Sequence, residues 1–599
     1  MAAPIIYTTD VLVVGGGFSG SWAALSAAAS AKDVLIVDKA ARDWRGLGMM
    51  SGGDMIVMQP EFKVEDLLDE MVYYYDGLCD QPLVRKILEH SYDRFCDLER
   101  WGHIFARDEK GNLRAVVQRG LKYMRYYLYH PYGKGGPHTC NTLYDQLALR
   151  GVRRISNIQI VKLIKRSGRV VGAAGFHTRS GLPCVIKAGA VILCTNTGGF
   201  KMSYLSNTSA GEGALLGYEA GARFQNMEFL QNWTCPMAFA WEGQTGMLPY
   251  GARFVNSKGE DFMKKYSPMR GAKSDPHYNI RGMVLETRAG NGPTYFDTST
   301  MSAEGVEVMT PTGGWMLLNA EKLKKLGIDF FHQKTEWMPQ FQYIFGGMKT
   351  DLDCRTGVPG LFAAGRASSL HTGVYMGGWD TCMTSTTGCF AGEAAAKEAM
   401  DVQHDDFDAA EALEEISPVT SLMGRPGIPP KDVVRSIQEL MVPADVSVLK
   451  TGQGLNRALH QLAHIQNEYI PEMTAQDPHY LMKLMEARGM ALVAEMYLRA
   501  SLARKESRCG HFREDYPLRA GAPEWIRLSR GENGMNIEFT PVPCGAGYSI
   551  LGSMLRPRLR KRLSPHTFKR SVLLSYCHFK KKQAFFADKC CKVRISLVS

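Results

Sequence analysis

Three glycines and one aspartate near the amino terminus have the types and spacing to bind a dinucleotide. Residues 15–20 read GGGFSG, and Asp38 ends the next apolar run. Gly15 permits a tight turn, Gly17 lets a pyrophosphate approach the backbone, and Gly20 allows a helix to pack closely on a strand. A carboxylate at position 38 can accept hydrogen bonds from the hydroxyls of an adenosine ribose. The pattern predicts a site for the ADP half of a dinucleotide without a 2′-phosphate.

The segments around this turn have the order that such a site needs. Residues 10–14 (DVLVV) form a β-branched run, an Ala-rich segment over 21–31 favours a helix, and 34–37 favour a second strand. A helix start presents unpaired N–H groups and the positive end of its dipole to a phosphate. We therefore predict a strand, a glycine turn, a helix and a strand in succession.

Two later segments predict strands that end in glycine-containing loops. One is 190–200 (AVILCTNTGGF), and the other begins near Gly360 and ends at Gly365. Both resemble the second and third FAD-contacting strands of two-dinucleotide-binding flavoproteins. The chain has no second GxGxxG unit with its own strand and acid for NAD(P)H, so the pattern favours FAD.

The positive charge of the chain is confined to its carboxyl end. The 599 residues carry a formal charge of +11, but 556–599 contain 13 Lys or Arg and one acid, Asp588. The remainder is therefore close to neutral, and we expect no nucleic-acid partner. Residues 541–599 are predicted to be a basic, poorly ordered tail, because they show neither periodicity nor a capped helix.

The 14 cysteines are scattered, and none forms a C-x-x-C motif. The spacing for an iron–sulfur cluster or a structural zinc is absent, so no metal site is predicted. Scattered cysteines in a large enzyme indicate reduced thiols, and we expect a cytoplasmic location. No apolar run reaches ~18 residues, so membrane contact is expected only indirectly.

Nine motifs occur in the same order as in one family, the flavoprotein subunits of fumarate reductase and succinate dehydrogenase. The adenylylsulfate reductase alpha subunit is a close relative of that family, and L-aspartate oxidase is another relative. The motifs are GGGFSG at 15–20, RGLGMMSGGD at 45–54, HTCNTLYDQL at 138–147, TNTGGF at 195–200, SAGEGALLGYEAGARFQNMEF at 209–229, RFVNSKGEDFM at 253–263, GGMKTDLDCRTGVPGLFAAGRASS at 346–369, HTGVYMGGWDT at 371–381 and RKESRCGHFREDYP at 504–517.

The resemblance implies an α/β fold with a Rossmann-like FAD domain of the glutathione-reductase type, an inserted α+β capping domain and a C-terminal helical domain. The helical part has independent support, because apolar residues over 454–507 recur at helical spacing. The predicted bounds are 1–235 for the first part of the FAD domain, 236–344 for the capping domain, 345–415 for the second part of the FAD domain, and 416–540 for the helical domain with its extension.

The family motifs also imply which residues contact FAD. Covalent members carry a histidine in the 45–54 loop, where this chain has Gly46 at the corresponding position and no histidine. FAD is therefore predicted to bind non-covalently. The predicted cofactor-binding residues are Gly15, Gly17, Phe18, Ser19, Gly20, Asp38, Lys39, Gly46, Ser51, Gly52, Gly53, Thr195, Gly198, Gly365, His371 and Thr381.

Four pocket positions depart from the family. Motif alignment places Trp233, Leu248, Gln342 and Tyr375 where the family has two histidines and two arginines. All four changes remove positive or titratable character. A buried carboxylate without a cation costs several kcal/mol, so the pocket is expected to reject fumarate and to favour a flat or apolar acceptor, or a stacked nucleotide.

The remaining catalytic candidates are Arg253, Tyr250, Tyr375 and His371. Arg253 lies near the lost arginine and could supply a relocated cation, while the two tyrosines could donate protons. His371 belongs to the family's histidine element beside the flavin, where it could act in acid–base chemistry. Structural alternatives stay open for each: a surface arginine, packed tyrosines and a histidine that only contacts the flavin.

We therefore expect an FAD-dependent oxidoreductase that transfers hydride between FAD N5 and a small organic acceptor other than fumarate. Because the chain has neither cluster ligands nor a nicotinamide site, an iron–sulfur or ferredoxin-like protein is expected to exchange electrons with it. Three alternatives stay open. They are an enzyme of the adenylylsulfate reductase alpha type, an oxidase that uses O2, and a flavin electron-relay protein without catalysis of its own.

Overall fold

The structure is a computed structural model that describes most of the chain up to residue 542. The predicted basic tail beyond that residue and the side chain of Gln342 lie outside the described part. The described residues are 3–41, 46–118, 121–130, 135–203, 208–238, 247–248, 250–268, 271–303, 305–306, 322–371, 373–400 and 407–542.

The elements alternate between strands and helices over the first half and are mostly helical between 379 and 503. The strands are β1 (Ile5–Val14), β2 (Val34–Asp38), β3 (Asp54–Ile56), β4 (Ala115–Val117), β5 (Arg125–Leu128), β6 (Arg153–Ser156), β7 (Ile158–Arg166), β8 (Arg169–His177), β9 (Pro183–Leu193), β10 (Phe224–Gln225), β11 (Leu230–Pro236), β12 (Arg253–Val255), β13 (Tyr295–Asp297), β14 (Lys334–Ile344), β15 (Gly347–Met348), β16 (Leu361–Ala363), β17 (Glu524–Gly531) and β18 (Gly534–Pro541). The helices are α1 (Phe18–Ala27), α2 (Val64–Tyr74), α3 (Gln81–Arg100), α4 (Gly135–Leu149), α5 (Glu212–Ala220), α6 (Met263–Tyr266), α7 (Pro276–Arg288), α8 (Trp379–Met400), α9 (Ala409–Thr420), α10 (Pro430–Met441), α11 (Ala444–Ser447), α12 (Gly452–His464) and α13 (Pro478–Ala503).

The main sheet has the order β6-β2-β1-β9-β8-β7, and β16 also pairs with β9. Strands β1, β2, β6, β9 and β16 run parallel, and Val14, Leu193 and Ala363 lie in register at their carboxyl ends. Ligands of open parallel sheets bind outside this edge. The predicted α/β fold class is confirmed, and three predicted cofactor segments begin at one edge.

Helices α1 and α8 pack closely on each other because small residues line the contact between them. A Cβ on Gly388 would lie 2.7 Å from the Ser19 carbonyl oxygen, and one on Gly392 would lie 2.2 Å from the Ala23 carbonyl oxygen. Larger side chains would force the helices apart. The packing holds the start of α1, and with it the predicted phosphate-binding turn, in a fixed position. Helix α1 begins at Phe18, three residues earlier than the Ala-rich run predicts.

A second sheet, β11-β14-β13-β12, has its own hydrophobic core, which includes Leu248, Phe254, Phe296 and Trp337. A third sheet, β15-β10-β17-β18, joins strands that are far apart in sequence, because Phe224 pairs with both Met348 and Leu528. The predicted domain boundaries stay predictions. Within the described ranges, no helix is both long and apolar enough to cross a bilayer.

Candidate active site

The glycine turn between β1 and α1 has no room for side chains at two positions. Gly15 has φ +102°, and a Cβ on it would lie 2.6 Å from the Cys194 carbonyl oxygen. A Cβ on Gly20 would lie 1.8 Å from the Gly15 carbonyl oxygen. Both contacts are with backbone atoms, so rotation of a side chain cannot relieve them. The turn is therefore tight, and it carries no side chains at these positions, so a pyrophosphate can come close to its backbone N–H groups.

Asp38 lies at the carboxyl end of β2, opposite this turn. Its Oδ2 accepts a hydrogen bond from the Gly16 N–H (2.8 Å), and its Oδ1 accepts one from the Ala40 N–H (2.8 Å). Burial raises the pKa of Asp38, although both backbone donors oppose the shift. The two bonds fix the carboxylate beside the turn. The turn and this acid together fit the ADP half of FAD.

Lys39 is held by two buried acids rather than by solvent. Its ammonium contacts the carboxylate of Glu212 and lies 2.8 Å from Glu486 Oε1. Lys201 and Lys483 bind the same Glu486 at 2.7 and 3.1 Å. Burial alone would lower the pKa of Lys39, but the two glutamates outweigh it and raise that pKa. The role of Glu486, which ties helix α13 to the nucleotide-binding strand, was not predicted from the sequence.

The loop from Gly46 to Gly53 packs against the glycine turn. Gly46 has φ +74°, and a Cβ there would lie 3.0 Å from the Gly17 Cα. Gly53 has φ +91°, and its Cβ would lie 2.8 Å from the Gly135 Cα. Gly46 thus packs directly on the glycine turn, while Gly53 packs on the start of α4.

The loops after β9 and β16 approach the same turn. A Cβ on Gly365 (φ +62°) would lie 2.7 Å from the Ser19 Cβ, so this glycine packs on the start of α1. A Cβ on Gly198 would lie 2.9 Å from the Gly211 Cα. Thr195 lies directly after β9, and Thr381 lies in the first turn of α8. The end of β9, at Cys194, and the loop after β16, at Gly365, therefore both pack on the glycine turn or the start of α1.

A buried polar cluster lies at the start of α8, and Asp380 is its centre. Asp380 Oδ1 lies 2.7 Å from His371 Nε2, and Oδ2 accepts a hydrogen bond of 2.7 Å from Arg366. Arg366 also contacts the Tyr343 hydroxyl and donates to Gln231 (3.3 Å). Neither Arg366 nor Asp380 was predicted as a site residue from the sequence, although the GGWDT motif contains Asp380.

The charge states of this cluster follow from its contacts. Burial would raise the pKa of Asp380, but Arg366 and His371 hold that pKa well below its usual range. Burial lowers the pKa of His371, and Asp380 offsets this only in part. His371 is therefore a neutral imidazole whose Nε2–H donates to Asp380, which leaves Nδ1 as an acceptor. This buried nitrogen has no hydrogen-bond partner among the described residues.

An aromatic pair lies beside the cluster. The rings of Trp233 and Tyr375 meet edge to face with centroids 4.9 Å apart, and the Tyr74 hydroxyl donates to the Tyr375 carbonyl oxygen (2.8 Å). Phe345 stacks on His371 with centroids 4.8 Å apart. Leu248 is buried in the core of the second sheet, so the position of the family arginine carries no charge.

The structure places the other two catalytic candidates on the second sheet or near it. Arg253 Nη2 lies 3.0 Å from Asp297 Oδ2 across the β12–β13 pair. Tyr250 packs on Gly305, where an added Cβ would lie 2.5 Å from the Tyr250 Cβ. Arg253 would have to leave Asp297 to act on a substrate. Tyr375 lies near Arg366, which shares Asp380 with His371, whereas Arg253 is engaged by Asp297.

The RKESRCGHFRED motif forms a buried ionic network. Arg504 Nη2 lies 2.7 Å from Glu228 Oε1, and both side chains are almost fully buried. Lys450 Nζ donates to the Glu228 carbonyl oxygen (2.8 Å) and lies 2.9 Å from His511 Nδ1. Burial lowers the pKa of Lys450 and of His511. The network links the C-terminal segment to the chain that leads into β11.

Comparison with known proteins agrees with this arrangement. A family model described as an FAD binding domain matches residues 10–379, and one described as the fumarate reductase flavoprotein C-terminal region matches 435–546. A fumarate reductase (CoM/CoB) subunit of Methanothermobacter marburgensis is 29% identical over 543 residues, which span 87% of this chain and 96% of that protein.

Two solved structures share the fold. Mycobacterium smegmatis Sdh1 matches with a TM-score of 0.81 and 23% identity over 94% of this chain and 99% of that one. Adenylylsulfate reductase of Archaeoglobus fulgidus matches with a TM-score of 0.77 and 20% identity over 91% of this chain and 97% of that one. In the described part, no three His, Cys, Asp or Glu side chains converge to hold a metal ion. The chain therefore belongs to the fumarate reductase/succinate dehydrogenase flavoprotein family and is an FAD-dependent oxidoreductase.

Proposed function

We propose that the chain is a catalytic flavoprotein that reduces a small, flat organic acceptor other than fumarate. Bound FAD supplies hydride transfer at its N5 atom. The chain itself contributes the cavity, its charge and the groups that hold or move protons.

The charge balance of the Asp380 cluster carries the proposal. Arg366 carries the positive charge of the cluster, and Asp380 neutralises it at 2.7 Å. His371 is neutral, and Trp233 and Tyr375 add an apolar wall. A dianion brought here would lose its hydration without gaining an unpaired cation, at a cost of several kcal/mol per charge. A flat, weakly charged acceptor can instead pack on the aromatic pair.

The proposed catalytic residues are Tyr375, His371, Tyr250 and Arg253. The Tyr375 hydroxyl is proposed as the proton donor, because its ring forms part of the aromatic wall against which the acceptor would pack. His371 can accept a proton at Nδ1 but cannot donate one there while Nε2–H is bonded to Asp380. Tyr250 and Arg253 belong to the second sheet, so their participation requires that this sheet close on the cavity.

The sixteen FAD-binding residues named from the sequence are retained as the proposed cofactor site, with the flavin bound non-covalently. The 46–54 loop contains no histidine for an 8-methyl linkage. We expect acid precipitation of the purified holoenzyme to release all yellow colour into the supernatant. Absorbance of the pellet and the supernatant checks this, with a covalent flavoprotein treated in parallel. Colour that stays with the pellet would contradict it.

The proposed electron partner is an iron–sulfur or ferredoxin-like protein. The relative from Methanothermobacter marburgensis is named as one subunit of a fumarate reductase, which favours a multi-subunit assembly. The chain has no C-x-x-C motif with which to hold a cluster itself. We retain a cytoplasmic location as a prediction, with membrane contact only through a partner.

An acceptor panel tests the proposed function. The holoenzyme is reduced anaerobically with a viologen, and reoxidation of the flavin is followed after mixing with fumarate, an uncharged enone, a monocarboxylic enoate, adenylylsulfate or O2. We expect the enone or the enoate to react at least ~100-fold faster than fumarate, which corresponds to about 2.7 kcal/mol. Fast fumarate turnover would contradict the proposal.

A substitution in the aromatic wall sharpens this test. Tyr375→Arg adds a cation where the family has an arginine, and we expect it to increase the rate with fumarate relative to the enone. Tyr375→Phe is the matched control, because it keeps the ring and adds no charge. If adenylylsulfate alone reoxidises the flavin, the enzyme is of the adenylylsulfate reductase type. If only a partner protein does, the chain is an electron relay.

A further inference from the structure

Asp54 is a carboxyl group at the flavin loop that the reaction scheme above does not use. It begins β3, directly after Gly53, and it is partly buried. Among the described residues, no side chain or N–H donates a hydrogen bond to its carboxyl. Burial and the negative charge of Asp380 both raise the pKa of Asp54. An unpaired carboxyl in such a position is costly in its charged form.

Asp54 lies close to Asp380 because β3 packs on the segment that leads into α8. The Ile56 N–H donates to the Gly378 carbonyl oxygen at 3.0 Å, and a Cβ on Gly378 would lie 2.8 Å from the Ile56 nitrogen. Asp380 is two residues further along the chain. Both of its oxygens are already bonded, one to His371 and one to Arg366. Asp54 therefore lies near the negative charge of Asp380. Arg366, the cation of the cluster, is already bonded to Asp380.

The other titratable groups around Asp54 do not pair with it either, within the part of the chain that the structure describes. Tyr129 follows β5, and its pKa is raised by burial and by Asp54. Cys382 on α8 is buried, and burial raises its pKa. Further groups on the packed elements are Arg125 and Tyr126 on β5, and His138 on α4, which stacks on the neutral His103.

We propose that Asp54 is the proton-holding group of this redox site and takes up one proton when the bound FAD accepts two electrons. The electrons come from the reductant and two protons come from water: one would stay with the flavin as part of the hydride, and the second would bind Asp54. Reduction adds negative charge to the site, and this charge favours the protonated form of a nearby carboxyl. When the electron pair leaves as hydride, the Asp54 O–H bond breaks and its proton passes to the acceptor or to solvent.

Asp54 takes up a proton on reduction only at a pH between its pKa in the oxidised enzyme and its higher pKa in the reduced enzyme. Burial and Asp380 raise the pKa of Asp54 to about 7. Below this pH the carboxyl is protonated before and after reduction, so it takes up nothing. Above it the carboxyl is charged before reduction and gains a proton on reduction, until the pH exceeds the higher pKa of the reduced state. The proposal rests on bound FAD and not on the identity of the acceptor.

Anaerobic spectroelectrochemical titration of the full-length holoenzyme between pH 6 and 9 tests the proposal. We expect the wild type to take up one more proton per electron pair than Asp54→Asn above neutral pH. This changes the equilibrium constant tenfold per pH unit, which is about 30 mV per pH unit for a two-electron couple. Glu109→Gln, at an exposed turn, removes the same charge and is expected to follow the wild type.

Equal slopes for wild type and Asp54→Asn would overturn the proposal, because a purely structural effect shifts the mean potential and not its pH slope. If Asp54→Asn does not retain FAD, an indicator dye measures proton uptake by the wild type during reduction with a viologen. Two protons per electron pair near pH 8 support the proposal, and one overturns it. Neither readout requires an acceptor, so failure of the acceptor panel leaves this test intact.

Discussion

Gly20→Ala is expected to yield folded protein without its flavin. The new Cβ would lie 1.8 Å from the Gly15 carbonyl oxygen, which is far inside contact distance. Because the obstacle is backbone, the turn itself must move, and Gly15 is already held between β1 and the Cys194 carbonyl oxygen. Displacement of the turn removes the N–H groups and the helix start that bind the pyrophosphate. We expect FAD affinity to fall by ~100-fold or more, about 2.8 kcal/mol.

The measurement is the flavin-to-protein ratio after purification, followed by titration of the apoprotein with FAD. Circular dichroism establishes that the variant is folded. Gly111→Ala is the control, because Gly111 also has positive φ (+82°) but an added Cβ would meet nothing within 4 Å. This control shows whether replacing a turn glycine by alanine lowers FAD occupancy even without a steric clash. A yellow Gly20→Ala protein with unchanged FAD affinity would show that FAD binding does not depend on the close contact between Gly20 and Gly15.

Arg504→Met is expected to produce the largest loss of stability among side-chain substitutions in the C-terminal network. It leaves Glu228 charged and fully buried without its ionic partner. An uncompensated buried charge of this kind costs about 3–5 kcal/mol. Lys450 does not replace the lost cation, because its ammonium bonds the Glu228 carbonyl oxygen rather than the carboxylate. Methionine keeps much of the apolar volume, so the loss reports mainly on charge.

The midpoint of urea unfolding, followed by tryptophan fluorescence, checks this expectation. The double variant Arg504→Met with Glu228→Gln should recover a substantial part of the loss, since it no longer buries an unpaired charge. Arg457→Met is the surface control: Arg457 is exposed and its partner Asp445 is half-buried, so we expect a change below about 1 kcal/mol. An Arg504→Met protein as stable as the wild type would show that the network does not stabilise the fold.

The predicted flavin-binding segments could be read from local sequence because each depends on short-range constraints. A β-branched run such as residues 10–14 favours a strand, and a glycine is needed wherever the chain turns tightly against a neighbouring backbone. The spacing of Gly15, Gly17 and Gly20 is therefore a local signal. Motif order extended this signal to the loops near Gly46 and Gly365. The ends of elements were less well predicted, for example the start of α1 at Phe18.

The polar cluster around Asp380 could not be predicted from the sequence, because its members come together only in space. Asp380 and Arg366 are 14 positions apart, and Tyr343 and Gln231 come from other strands. Nothing in their local sequence indicates that a half-buried aspartate pairs with the arginine. The aromatic substitutions at Trp233 and Tyr375 were visible in the sequence, but their edge-to-face contact was not.

The amino-acid sequence by itself determined the cofactor class, the family and the loss of cationic pocket residues, because these reside in residue type and short spacing. Only the tertiary structure decided which charges meet. It paired Asp380 with Arg366 and His371, placed Asp54 beside them, and engaged Arg253 with Asp297. The physical reason is that the energy of a charge depends on burial and on neighbours within a few ångströms, and folding brings those neighbours from distant parts of the chain.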